Sequence, residues 1–280
     1  MAEKKEGSHE GDFRLLRGAL GGSGGRPAQA LEPLALYDDF NAKFIDPGKW
    51  LGIEVGGLGR EAVREIKAKK LHMAYRAQGD TNTDSGGRFG QLSLRFADPS
   101  AITAIEAVVQ VTKFEATGCS SLGSSITSAS ARLQANFFNT DTPISGSRLH
   151  DVSAGILVER RSNSLDPPTV LQISAFAFEC LDRSCAAFSL IGSGSLGSIN
   201  KGQKARLRVQ WDKDQDQFIF HRDGMELIIP YSVSDTEPPG LQGKVLEITH
   251  FVPNCTATPQ PLGFMEVFFD NVFVNKSAVP

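Results

Sequence analysis

The chain has no apolar run approaching the 18 or so residues that a membrane-spanning helix needs; its longest are short stretches such as Ile173–Phe178. It has no excess of one charge. Twenty-nine basic residues against 32 acidic ones give a net charge of −3, which argues against a nucleic-acid partner, since a dedicated binder carries a basic excess. Histidine is scarce, at 5 residues, and shows no H-x-x-x-H or H-x-H spacing, while cysteine, at 4 residues, offers no second paired-ligand motif beside Cys180 to complete a zinc site. The start of the chain lacks the apolar stretch of a secretory leader, because Arg14 and Arg17 bracket only two leucines. Two further absences narrow the fold. No window repeats with helical periodicity beyond one or two turns, and no self-similarity at 20–50 residues suggests a propeller or solenoid.

What is present is abundant phenylalanine, 18 residues, within a composition that is 40% hydrophobic, enough to build a large core. Residues 1–36 hold seven of the 28 glycines, including GGSGG, and few bulky apolar side chains. Such a segment buries too little to offset its ordering entropy, so 1–36 is expected to be a flexible tail. From residue 37 the pattern is alternation with period two. Leu207, Val209 and Trp211 alternate with Arg206, Arg208 and Gln210; Ala131, Leu133, Ala135 and Phe137 alternate with Arg132, Gln134, Asn136 and Phe138. Residues 102–114 read the same way. Gln217–Tyr231 predicts a hairpin, with Asp223-Gly224 supplying the positive φ angles of a tight primed turn. Further strands are predicted at 62–66, 71–77, 88–96, 153–161, 169–179, 186–191, 244–251 and 263–274. A dozen strands without alternating helices predict an all-β, two-sheet antiparallel β-sandwich, a jelly roll spanning 37–280.

Cys180 and Cys185 enclose four residues, a spacing suited to cross-linking a short loop, whereas Cys119 and Cys255 lie in separate polar stretches. Four cysteines allow three connectivities, and four reduced thiols are the alternative. The expected Cys180–Cys185 pair carries with it an extracytoplasmic, secreted location, its leader removed ahead of this numbering; the alternative is a cytoplasmic protein with reduced thiols.

Three segments add a resemblance. Tyr37–Trp50 (YDDFNAKFIDPGKW) resembles the first strand of the concanavalin A-like lectin/glucanase superfamily. Leu207–Gly224 (LRVQWDKDQDQFIFHRDG) is similar to a hairpin of its laminarinase-type members, and Glu266–Asn275 (EVFFDNVFVN) resembles the last strand. The resemblance implies two stacked antiparallel sheets, one of them curved, with a ligand held on the concave side. It also implies a structural calcium ligand at Asp270, against the simpler reading of an Asp bonded to the adjacent strand end. The glucanase branch carries its catalysis on one strand as E-x-D-x-x-E, which sets two carboxylates on one face about 5–5.5 Å apart for a retaining mechanism. That motif is absent. The only Glu-x-Asp is Glu10–Asp12 in the tail, and the strand best placed for it, within 102–111, offers only Glu106.

Two other motif matches lack their context. Gly192–Gly197 fits G-x-G-x-x-G but precedes a strand instead of a helix, and Asp212, Asp214 and Asp216 begin a calcium loop whose sixth residue is Gln217, not Gly. Arg132, Gln134, Asn136 and Phe138 are the candidate ligand-binding face, joined by Glu159 from the next strand. Planar polar side chains match adjacent sugar hydroxyls and an aromatic stacks on the ring; a plain solvent-facing sheet shows the same alternation. The expected function is non-catalytic binding of a polysaccharide or surface polymer, with no catalytic cofactor. The rivals are a glycosidase or lyase using Glu106 with Glu159, and a structural or adhesive module.

Overall fold

Alternation decides which side of each strand is dry, and here two sets of dry sides face each other. In the computed structural model, which describes residues 32–55, 60–120 and 126–279, the first sheet runs in spatial order β13 (Met225–Pro230), β12 (Gln217–Arg222), β11 (Lys204–Asp212), β6 (Ala104–Thr117), β15 (Leu262–Asn275), β4 (Lys70–Gln78) and β3 (Arg60–Lys67). β1 (Leu34–Asp38) pairs with the far end of β15, so the sandwich begins three residues before the predicted boundary at 37. The tail through residue 31 lies outside the described residues. The second sheet runs β10 (Phe188–Asn200), β9 (Val170–Cys180), β8 (Asp151–Arg161), β7 (Ser128–Asn139), β14 (Lys244–Pro253), β5 (Gly87–Phe96) and β2 (Trp50–Val55). All strand pairings are antiparallel. The predicted all-β, two-sheet jelly-roll sandwich is therefore the observed fold, and no helix among the described residues is long and apolar enough to cross a membrane.

The core lies between the sheets and is built from alternate residues. On β7 these are Ala131, Leu133 and Ala135; on β8, Ile156 and Val158; on β6, Ile105, Ala107 and Val109, all buried. Fully buried Phe218, Phe220 and Phe269 add large apolar areas, each worth about 2–3 kcal/mol over exposure. The opening motif has a structural use. Asp38 accepts hydrogen bonds from Trp50 Nε1 (2.7 Å) and Phe40 N (2.8 Å), and Tyr37 packs edge-on against Trp50 at 5.3 Å. The predicted hairpin turn is present, with Asp223 at φ 47° and Gly224 at φ 93°.

Two strands exceed their sequence signals. β2 was not predicted. β10 runs on through Gly192-Ser-Gly-Ser-Leu-Gly197, where apolar alternation is missing. Its inner face uses glycine because the other sheet presses against it. A Cβ on Gly192 would stand 2.6 Å from Ile229 Cγ2, and one on Gly194 2.7 Å from Leu227 Cδ2. Here the packing requirement erased the pattern that reveals a strand.

Both pairs of cysteines are bonded. Cys180–Cys185 closes the short loop after β9 as expected, and Cys119–Cys255, whose pairing the sequence left open, ties the end of β6 to the end of β14 across 136 residues. No free cysteine remains.

Candidate binding cleft

The outer face of the second sheet is hollowed into a cleft of about 1310 Å³. Register builds its floor in rows. One row sets Ser93 on β5 beside Glu247 on β14, Arg132 on β7, Leu157 on β8 and Ser174 on β9. The next row toward the Cys180 end holds Arg95, Val245, Gln134, Gly155 and Phe176, and the row beyond it Asn136, Ser153 and Phe178. In the opposite direction, Phe89 stands beside Phe251. The result is a polar floor between two apolar walls.

Glu247 is the centre of the floor and only 3% exposed. It accepts hydrogen bonds from Ser93 Oγ (3.0 Å) and from Gln91 Nε2. Burial pushes its carboxyl above the usual range, while the charges of Arg132 and Arg148 pull the other way. Burial likewise lowers both guanidinium groups. Arg132 Nε donates to Ser130 Oγ (3.0 Å), which itself pairs with Thr249 Oγ1 (2.9 Å). Asn136 is held at both ends of its amide: Nδ2 donates to Leu241 O (2.7 Å) and Oδ1 accepts from Ser153 Oγ (2.6 Å). Gln134 Oε1 and Arg148 Nε, by contrast, are buried without a hydrogen-bond partner, an unmet polar demand at the cleft floor. The aromatic wall is a ladder. Phe176 and Phe178 stack with centroids 5.7 Å apart, and Phe188 continues it at 5.2 Å from Phe178. Gly155 makes room for it, since a Cβ there would lie 3.0 Å from Phe176 Cζ and 2.6 Å from Leu133 O.

Of the residues named from sequence, Arg132, Gln134 and Asn136 line the cleft together. Phe138 does not. A bulge between Asn136 and Phe138 shifts the alternation, so Phe138 turns into the core, fully buried against Trp211 and Tyr231 at 5.2 and 5.0 Å. Exposed aromatics come instead from neighbouring strands. Glu159 sits one row from Arg132, opposite Ser130, and is held by Arg161 Nε at 2.7 Å. Glu106 is on β6, between buried Ile105 and Ala107, so it faces outward from the first sheet and binds Arg206 at 3.0 Å. Glu106 and Glu159 thus point away from opposite sides of the sandwich and share no groove, which removes the one acid/base pair that the sequence offered.

The strand expected to carry E-x-D-x-x-E is also corrected. β6 belongs to the first sheet, whereas the cleft is crossed by β7. There the spacing recurs with an amide at every position: Gln134, Asn136 and Asn139. The same bulge that buries Phe138 returns Asn139 to the face of Asn136, since Asn139 pairs with Asp151 as Asn136 pairs with Ser153. Asn139 Nδ2 donates to Asp151 Oδ1 (2.8 Å), and Asp151 accepts from Gly240 N (2.6 Å) and Leu241 N (3.1 Å), pinning the loop that walls this end of the cleft. A search confined to carboxylates passes over this pattern.

Asp270 lies half-buried on β15 opposite Val108, next to a bulge. Among the described residues, the one cluster of three His, Cys, Asp or Glu side chains is Asp84 with Cys119 and Cys255, and both sulfurs are bonded to each other. A calcium at Asp270 would therefore draw its other protein ligands from backbone carbonyl or side-chain amide groups.

No protein-family model and no curated protein matches the sequence. Among solved structures, the chain is similar to a GlcNAcα1-4Gal-releasing endo-β-galactosidase from Clostridium perfringens (12% identity, TM-score 0.45), covering 90% of this chain but only 64% of that one. It is also similar to LamAcat from Zobellia galactanivorans (10%, TM-score 0.44; 87% of this chain, 97% of that) and to the carbohydrate-binding module CBM66 from Bacillus subtilis (12%, TM-score 0.36; 79% and 92%). All three are likenesses of fold.

Proposed function

We propose that this domain binds a polysaccharide or other surface polymer in the cleft of the second sheet without cleaving it, and that it works in an oxidising, extracytoplasmic setting. One observation supports the absence of cleavage above others. The cleft-crossing strand carries amides at Gln134, Asn136 and Asn139, in the spacing where the glucanases it resembles use carboxylates. An amide neither donates a proton to a leaving group nor attacks a sugar carbon. Glycoside hydrolysis needs two carboxyl groups flanking the bond, and among the described residues Glu247 is the one carboxylate lining the cleft. Nor does any His, Lys or Tyr line it to serve as the base of an eliminating lyase. Binding, in contrast, is well provided for by planar amide and guanidinium groups beside a ladder of phenylalanines. A hollowed face with exposed rings also favours ligand binding over a purely structural role. Two disulfides and no free thiol fit the oxidising setting.

Calorimetry against a broad polysaccharide panel, paired with a reducing-end assay, tests this. The expected result is binding at micromolar to millimolar dissociation constants, roughly −8 to −4 kcal/mol, with no reducing ends released. Absence of binding across the panel would refute a glycan ligand, and release of reducing ends would make the protein an enzyme.

A further inference from the structure

The chain as a whole is slightly acidic, at −3, yet its cleft is basic. Four guanidinium groups line it, from Arg95, Arg132, Arg148 and Arg161, against the single carboxylate of Glu247. Arg161 is neutralised by Glu159 beside the cleft. The charge of Glu247 acts on both Arg132 and Arg148, with Glu159 adding to the first and Asp151 and Asp182 to the second, yet among the described residues none of Arg95, Arg132 and Arg148 has a carboxylate within 4 Å. Arg132 makes one side-chain hydrogen bond, to a serine hydroxyl. The Nη2 of Arg148 reaches only Ser153 Oγ at 3.3 Å and Asn136 Oδ1 at 3.5 Å, and its Nε is buried and unpartnered. Arg95, half-buried on the same face, makes no side-chain hydrogen bond among the described residues.

Desolvated cations whose hydrogen bonds go to neutral partners are costly unless enough negative charge lies close by. A guanidinium fork is shaped to take a carboxylate or sulfate through two parallel N–H···O bonds. Arg132 on β7 is separated from the phenylalanine ladder on β9 only by Leu157 on β8, and Arg148 reaches Ser153 on β8, whereas Arg95 on β5 lies farther along the cleft, beyond β14 and β7. An acid group on a sugar ring resting on Phe176 would point toward Arg132 and Arg148, and acid groups on further rings of the same polymer would reach Arg95 across β7 and β14. We infer that the polymer bound here is an acidic glycan, its carboxylate or sulfate groups received by Arg95, Arg132 and Arg148. This rests on the glycan-binding function proposed above and narrows its ligand class.

The test compares matched ligands by calorimetry on the full chain: polygalacturonate against its carboxyl-reduced form, and dextran sulfate against dextran. At least one acidic polymer is expected to bind ten-fold or more tightly than its neutral counterpart, with affinity falling as salt rises. The first pair reports a carboxylate and the second a sulfate ester. Arg95→Gln, at a residue without side-chain hydrogen bonds to lose, should narrow the acidic-to-neutral ratio at least three-fold while leaving the melting temperature unchanged. Arg132→Met should narrow it further. Neutral polymers binding as tightly as acidic ones would overturn the acidic-ligand inference but leave glycan binding intact. No binding by any polymer, acidic or neutral, would overturn both. Acidic-polymer affinity unchanged in both arginine variants would place the contact elsewhere on the surface and also overturn the inference.

Discussion

Replacing Cys119 and Cys255 together by serine should lower the free energy of unfolding by about 5 kcal/mol, whereas the same change at Cys180 and Cys185 should cost about 2 kcal/mol. The difference follows from the loops closed. The first bond joins residues 136 apart in sequence, the second residues 5 apart, and the chain entropy removed from the unfolded state grows with the logarithm of that length. Position adds to it, since Cys119 follows a strand of the first sheet and Cys255 one of the second. Typical domains are stable by only 5–15 kcal/mol, so the double variant should sit near its unfolding threshold. Denaturant melts of both double variants check the order; equal losses would contradict it.

Glu247→Leu should destabilise by about 3–5 kcal/mol, the cost of leaving buried charge without its partner. Glu247 supplies the carboxylate nearest in charge to both Arg132 and Arg148, and it also takes the hydrogen bonds of Ser93 and Gln91. Adding Arg132→Met to Glu247→Leu should recover a substantial part of the loss, because the apolar pair leaves one fewer uncompensated cation. A double-mutant cycle measured by urea melts distinguishes this from simple loss of packing. Additive effects would mean that the two residues do not act on each other.

The fold was legible because burial on one side of a strand writes itself into the sequence as alternation. Leu133 beside Gln134, or Val209 beside Arg208, is that record. It fails where packing asks for something else. At Gly192 and Gly194 the opposing Ile229 and Leu227 forbid a side chain, so the longest part of β10 reads as a loop. On β7 one extra residue reverses the parity, which sends Phe138 inward and brings Asn139 to the face of Asn136. The local disulfide was visible from spacing; the distant one needed two strand ends brought together by the fold. The cleft followed the same division. Arg132, Gln134 and Asn136 were found because they alternate along one strand. Glu247 and Phe176 were not, since only the register of β7, β8, β9 and β14 places them beside those three, and Arg148 reaches the cleft from the loop between β7 and β8.

Whether the cleft is the glycan site is tested most directly by removing the stacking surface at its centre. Phe176→Ala deletes the ring that lies over Gly155 in the row of Gln134 and leaves the polar floor in place. With an oligosaccharide of the polymer that binds best, calorimetry should show affinity falling ten-fold or more, because the main apolar contact with the sugar ring is gone. A Phe176→Ala protein that melts as a folded domain and binds with wild-type affinity would contradict the assignment of this cleft.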